Sequence, residues 1–529
     1  MKRCPVCRRD YSDETLNYCL DDGSALVSGP VTSGLTPTVM FPTIDGPFES
    51  DTFVFSGAET SRSRPAANTI AVLPFLNLSR DENGDYFSDG LAEELLNVLS
   101  KIRGLRVAAR TSAFSFKNGH TTVSEIGRIL NVASVLEGSV RRANDRVRIS
   151  VQLITVVDGF QLWSETYDRT MDDIFAVQDD IAQSVVEEIR VRLLGEKPGD
   201  IVSRQVVSEV ASAVKGRSDD PEAQRLLMLG RHFLDRTTRD DTAKAIEYFQ
   251  KAIEIDPEFA LGWAELGRAR SIQAGKSWID IDEGFNLSRE AVSHALALEP
   301  GLAEAHAQLG RIKAVHDWDL AGAETSYKRA LELAPNSSPV LDGASILFYK
   351  LGRFDEAISL GVQVLEQDPL SAAYWHNHGL TCYAAATYDE SEKAFRRALE
   401  LAPQRSVSRA LLALLLLDKQ QPDLAIEQAQ NETDPFWRNW ALAIISWFKG
   451  DTKLSDETLG KLVSDNSQGN AYQIAEIFAF RGEADDAFEW LNRAVDEHDP
   501  GVTHTKVDPT LRNLHADPRW PKLLKRIGF

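Results

Sequence analysis

Prolines recur along the carboxy-terminal part of this chain at 221, 257, 300, 335, 369, 403 and 435, with spacings of 36, 43, 35, 34, 34 and 32 residues. A period near 34 residues is the length of one helix–turn–helix unit, with the proline ending each unit. Such a unit cannot bury its apolar face alone, so neighbours must stack into an elongated solenoid. From Pro221 onward the pattern is helical throughout. Ala245, Ala323, Ala357 and Ala487 fall where two helices of a unit must approach closely. The chain has 529 residues, which calls for several domains rather than one core.

The interior of the repeats carries a resemblance. "YWHNHGLTCYAAATYDESEKAFRRALELAP" (374–403) resembles the tetratricopeptide-repeat consensus, with Trp375, Gly379, Tyr388, Phe395, Ala398 and Pro403 in its slots. "AIEYFQKAIEIDP", "FYKLGRFDEAISL" and "FRGEADDAFEWLNRAV" repeat the theme. About eight units fill 221–529, the sixth and seventh degenerate, and "DPRWPKLLKRIGF" reads as an end-capping helix. The resemblance implies a concave groove lined by the ninth position of each unit. That position holds Arg231, Arg268 and Arg311, then Ile346, Leu380 and Leu414, with Tyr349, His376 and Tyr383 nearby. Three arginines at one repeat position, on a chain of net charge −21, point to a protein partner offering an acidic extended segment. Surface arginines with no ligand are the plainer alternative.

Ahead of the repeats, residues 68–196 mix strand and helix signals. "TIAVLPFL" (69–76) is a nearly continuous apolar run, hence a buried strand. "SDGLAEELLNVLSKI" (88–102) opens on a capping residue and lines up Leu91, Leu95, Leu96 and Leu99, hence a helix. "GLRVAAR" (104–110) reads as a strand and "TVSEIGRIL" (122–130) as a short helix. Val147, Ile149, Val151 and Leu153 alternate with Arg146, Arg148, Ser150 and Gln152, giving a half-buried strand paired in a hairpin with "ASVLEGSVRR". "QLWSETYDR" (161–169) adds a strand and 173–194 a long amphipathic helix. Together these segments resemble the TolB-like, or FlgO-like, amino-terminal domain. That resemblance implies a mixed α/β fold and no known chemistry; TolB's propeller repeats and export signal are missing. The expected class is multidomain: this α/β domain, then an all-α tetratricopeptide-repeat solenoid over 221–529. Residues 28–67, rich in Ser, Thr, Gly and Pro, read as a flexible linker, and 197–220 as a shorter connector.

Residues 1–27 hold "CPVCRRDYSDETLNYCLDDG". Cys4 and Cys7 form a C-x-x-C knuckle, and Cys19 with Asp22 repeats its spacing. Tight-turn thiolate pairs suit structural zinc, and a carboxylate is a permitted though less favoured fourth ligand. The stretch resembles short zinc-ribbon modules. Two readings stand: one structural zinc on Cys4, Cys7, Cys19 and Asp22, or a degenerate ribbon.

Signatures of catalysis are missing: no phosphate-binding G-x-x-x-x-G-K-[ST], no kinase motif pair, no G-x-S-x-G, no H-E-x-x-H. "DIDEGF" (280–285) mimics a calcium loop but has glycine at the fifth place. His376 and His378 point to different sides of a helix, and Cys382 is a packed core thiol. The longest apolar run, "ALLALLLL" (410–417), is far short of the ~20 residues a bilayer needs. No apolar leader follows "MKRCPVC", so a cytoplasmic location is expected. An excess of acids, 79 against 58 Lys and Arg, repels phosphate backbones and argues against nucleic acid. The dense "RRANDRVR" (141–148) reads as solvated arginines around a strand turn. The sequence thus predicts a non-enzymatic bacterial signalling or scaffold protein that binds protein partners through its repeat groove. Two alternatives are a transcription-associated regulator touching nucleic acid through the ribbon-like segment, and an accessory subunit of a separately encoded cyclase or kinase.

Overall fold

The structure is a computed structural model, and it describes residues 66–79, 85–102, 104–117, 119, 121–143, 146–170, 174–193, 200–236, 238–276, 278–464 and 470–529. Of the amino-terminal stretch it describes only 2–3, 10–11 and 27–28. The chain divides into two units, residues 1–63 and 64–529. In the first, β1 (Lys2–Arg3) pairs antiparallel with both β2 (Asp10–Tyr11) and β3 (Val27–Ser28). The cysteine and Asp22 positions lie outside the described residues.

The second unit opens on a mixed sheet. β4 (Thr69–Val72) is flanked in parallel by β6 (Arg106–Val107) and β7 (Ser134–Ala143). All four residues of β4 are buried, as a central strand covered on both faces requires. Pro74 has no N–H to give the ladder, so the predicted run 69–76 breaks there, and pairing with β7 resumes at β5 (Leu76–Asn77). β8 (Arg146–Thr155) and β9 (Gln161–Thr170) extend the sheet antiparallel, in the order β6-β4-β7-β8-β9. β8 buries Val147, Ile149, Val151 and Leu153 in strict alternation. One sheet face packs on α1 (Asp85–Ser100), α4 (Ile174–Glu188) and α5 (Asp200–Ala213) through Leu91, Leu95, Val177, Ile181, Val206 and Val210. Around Ala71, Leu73 and Val135 the other face meets α3 (Val123–Leu130), beyond the short α2 (Arg110–Phe114). Two readings change. Part of the expected strand 104–110 is α2, and the expected connector 197–220 contains α5, whose Val206, Val210 and Ala213 complete the core.

The rest is a solenoid of antiparallel pairs. They are α6 (Pro221–Leu234) with α7 (Arg239–Ile255), α8 (Ala260–Gly275) with α9 (Ile281–Leu298), and α10 (Ala303–Ile312) with α11 (Leu320–Leu333). Then come α12 (Ser338–Lys350) with α13 (Phe354–Gln367), α14 (Ala372–Ala384) with α15 (Tyr388–Leu401), and α16 (Ser408–Asp418) with α17 (Pro422–Gln430). The series ends with α18 (Pro435–Phe448) and α19 (Thr452–Ser464), then α20 (Ala471–Arg481) and α21 (Ala484–Asp496). Close approach is built in. A Cβ on Gly230, Gly310 or Gly379 would stand 2.3, 2.8 or 2.9 Å from the rings of Phe249, Tyr327 or Phe395 on the partner helix. Ala245, Ala323, Ala357 and Ala487 are wholly buried at these contacts.

Two features set the site. First, the α/β domain is fastened to the turns between repeats. Ala109 N donates to Gln367 O at 2.8 Å, Leu370 N to Ser112 Oγ at 2.8 Å, and Leu261 N to Gly216 O at 2.9 Å. Second, after α21 the chain makes 3-10 turns at Pro500–His504 and Pro509–Leu514 and the helix α22 (Trp520–Arg526). This tail returns to the third and fourth repeats. His498 stacks on Trp318 with ring centres 4.9 Å apart, Lys506 Nζ donates to Leu351 O at 3.1 Å, and Phe529 packs beside Tyr327 and Leu347.

Candidate functional site

The three groove arginines do not share one environment. Arg231, on α6, is 6% exposed and pairs with Glu265 at 2.9 Å and with Glu94 of the α/β domain. Glu94 also binds Arg217 at 2.8 Å, Arg217 reaches Asp179 at 3.2 Å, and Glu265 holds Arg268 at 2.9 Å. The result is one alternating chain, Asp179–Arg217–Glu94–Arg231–Glu265–Arg268, threading from α4 through α1 into the first two repeats. Burial works against the Glu94 carboxylate, but Arg217 and Arg231 outweigh it and hold its pKa below the ordinary value. The acid facing Arg231 is therefore supplied in cis. Lys101–Glu304, at 3.0 Å, and Arg106–Glu366, at 2.6 Å, add contacts along the same seam.

Arg311 is different: it is exposed and lines a hollow of 560 Å³. Ile346, Tyr349, His376 and Leu380 line the same hollow, so five of the nine groove residues expected from sequence come together there. Tyr383 and Leu414 are instead buried: the Tyr383 hydroxyl donates to Asp418 at 3.0 Å, and Leu414 sits in the core of the later repeats. The far wall comes from Trp437, Trp440, Tyr472 and Glu476 of α18 and α20, and from His504 and Asp508 of the returning tail. His504 Nδ1 lies 3.1 Å from the Tyr349 hydroxyl, and Tyr472 Oη donates to Asp508 at 2.9 Å.

Burial pushes both His376 and His504 down to about 3, so both rings are neutral at pH 7; Arg405 adds to the first effect and Lys350 to the second. Burial, with Asp508 beside it, lifts the Glu476 pKa well above the ordinary carboxylate value. Lys350, Asp342, Trp437, Trp440, Tyr472, Glu476, His504 and Asp508 were not expected from sequence. The one available signal was Lys350, a cation inside the apolar run "ILFYKL". Among the described residues no cluster of three or more His, Cys, Asp or Glu is placed to hold a metal ion, and no helix is long and apolar enough to cross a membrane.

Comparison with known proteins agrees with the repeat architecture. Tetratricopeptide-repeat family models match residues 238–259 and 343–406, so repeats of that kind are present. A Rhizobium meliloti (strain 1021) protein named "Putative adenylate cyclase 3" is 36% identical over 240 residues, covering 44% of this chain and 39% of its own. A small glutamine-rich tetratricopeptide repeat-containing protein of Mycosarcoma maydis is 28% identical over 101 residues, 19% of this chain and 29% of its own. The chain thus spans 39% and 29% of the length of these curated relatives. Among solved structures, human IFIT1 covers 61% of this chain and 87% of its own at 15% identity, with a TM-score of 0.40. Pseudomonas aeruginosa pilF covers 39% and 95% at 18% identity, with a TM-score of 0.31.

Proposed function

We propose that this protein is a non-enzymatic signalling scaffold that binds a protein partner on the concave side of its tetratricopeptide-repeat solenoid, beyond the second repeat. The observation that carries the reading is the division of the arginines. Arg231 and Arg268 are paired within the chain, whereas Arg311 faces the hollow beside Ile346, Tyr349, His376 and Leu380. Tetratricopeptide repeats mediate protein–protein contact, and an exposed arginine beside an apolar floor suits a partner with an acidic residue next to an apolar anchor. The α/β domain is read as TolB-like, in keeping with its mixed sheet and two helical faces, and as a rigid support for the first repeats. The amino-terminal segment is read as a zinc ribbon. The Rhizobium meliloti relative favours a second reading of the same scaffold, as an accessory subunit of a separately encoded cyclase.

Affinity capture with the full chain as bait, followed by mass spectrometry, tests the reading against an Arg311→Glu/Ile346→Glu bait. A partner retained by the wild type and lost by the variant is the expected outcome. An identical set of proteins on both baits, or cyclase or kinase turnover in the pure protein above a contaminant control, overturns it.

A further inference from the structure

The hollow has an electrostatic demand that the chain itself leaves unmet. Its carboxyl groups are satisfied or disfavoured as charges. Asp508 accepts from Tyr472 Oη at 2.9 Å, from Thr510 N at 2.8 Å and from Thr510 Oγ1 at 2.6 Å. Asp342 accepts from Asn377 Nδ2 at 3.0 Å, and burial with Asp508 nearby disfavours charge on Glu476. Its cations are not satisfied. Lys350 is only 6% exposed, lines the hollow, and makes no ion pair or side-chain hydrogen bond among the described residues. Burial brings the Lys350 pKa down to about 8, and the nearby Arg311 charge adds to the effect. Asp342 offsets one of these two charges at most. A largely buried ammonium without a partner is costly, and a counter-charge entering the hollow would offset that cost.

Part of the wall is aromatic: Trp437 and Trp440, whose rings meet edge to face at 5.5 Å, and Tyr472. A volume of 560 Å³ matches a single small molecule, and the returning tail contributes His504 and Asp508 to the lining, with His504 against Tyr349 of the fourth repeat.

We infer that the hollow is a binding site for a small anionic molecule bearing a planar ring, its carboxylate, phosphate or sulfonate held by Lys350 and Arg311 and its ring against Trp437 and Trp440. This site shares Arg311 and the hollow with the protein-partner reading, but its test uses no partner, so either can fail without the other.

The test uses the full chain and no protein partner. 8-Anilinonaphthalene-1-sulfonate carries one sulfonate and planar rings, and energy transfer from tryptophan reports its arrival. Saturable binding of one molecule per chain is expected. Lys350→Met keeps the apolar stem and removes the charge, and should weaken that binding on the order of tenfold. Affinity for the uncharged analogue N-phenyl-1-naphthylamine should change less than about twofold. Arg311→Met, at an exposed position, should act in the same direction and keeps the test valid if Lys350→Met fails to fold. The inference is overturned if the wild type shows no saturable binding, if neither variant weakens the sulfonate, or if both probes weaken alike, which would mark mere apolar adhesion.

Discussion

Replacing Glu94 by Ala is the sharpest probe of how the α/β domain and the repeats are joined. Glu94 is the third member of the alternating chain from Asp179 to Arg268 and the link between the two parts. Its removal leaves Arg217 with the part-exposed Asp179, and leaves Arg231 and Arg268 sharing Glu265. Arg231 is buried, and a guanidinium cannot shed its proton to escape. Removing one partner of a buried pair costs ~3–5 kcal/mol, and the remaining contact to Glu265 places this case at the low end, about 3 kcal/mol. Arg231→Met is the contrasting change. It leaves Glu94 with Arg217 and Glu265 with Arg268, and a carboxylate in excess can take up a proton, so about 1–2 kcal/mol is expected. Unfolding a chain of this size is not one cooperative step, so the readout is amide hydrogen exchange over 85–100 and 221–234. Glu94→Ala should speed exchange there on the order of a hundredfold, and Arg231→Met about tenfold. Glu356→Ala, which breaks an exposed pair with Arg353, should leave both helices unchanged. If Glu94→Ala behaves like Glu356→Ala, or costs less than Arg231→Met, the buried chain does not hold the two parts together.

Three further outcomes are expected. The Glu94 carboxylate lies below its ordinary value of 4.5 when folded, so its contribution is complete above that pH and is lost as pH falls through the folded value; His504, held down to about 3 by burial against an ordinary 6.5, opposes folding already below about 6.5 and outweighs Asp499, raised to about 6, so from pH 7 to pH 5 protection relative to intrinsic amide exchange should fall over 498–508 while 85–100 loosens only below about 4.5. Gly230→Ala drives a methyl into the Phe249 ring and should cost ~1–3 kcal/mol of local stability, read by amide exchange over 221–255, whereas Gly460→Ala, in α19 with open space around it, should stabilise 452–464 by ~0.5–1 kcal/mol. Elemental analysis of the reduced full chain should give close to one zinc per chain, lost in Cys7→Ser; no zinc in the metal-replete wild type would leave the degenerate-ribbon reading.

What was legible in the sequence was the part that repeats. Proline spacing, the small residues at helix crossings and strand alternation at 146–153 are local signals, and each maps onto an element. Even there one recurrent device went unread: Trp263, His306 and Trp375, each six residues after a repeat proline, bond that proline's carbonyl at 3.0, 2.9 and 2.9 Å. α5 was passed over because Lys197-Pro198-Gly199 and a polar surface resemble a linker, although Val206, Val210 and Ala213 already had helical spacing. The site itself depends on contacts with no period. Arg231 meets Glu94 across 137 positions and Tyr349 meets His504 across 155. A repeat register places Arg231, Arg268 and Arg311 alike; the local Glu265, which pairs Arg231 and Arg268, and the docking of α1, which brings Glu94 to Arg231, separate the paired arginines from Arg311.

That separation is the centre of the account, and one comparison tests it. With the partner recovered by capture, its affinity is measured by calorimetry for the wild type, Arg231→Met and Arg311→Glu, all as full chains confirmed folded. Arg231→Met should bind within about twofold of the wild type, because the Arg231 guanidinium already serves Glu94 and Glu265, and Arg311→Glu should lose on the order of tenfold or more. Loss of binding in Arg231→Met with full affinity in Arg311→Glu would contradict it.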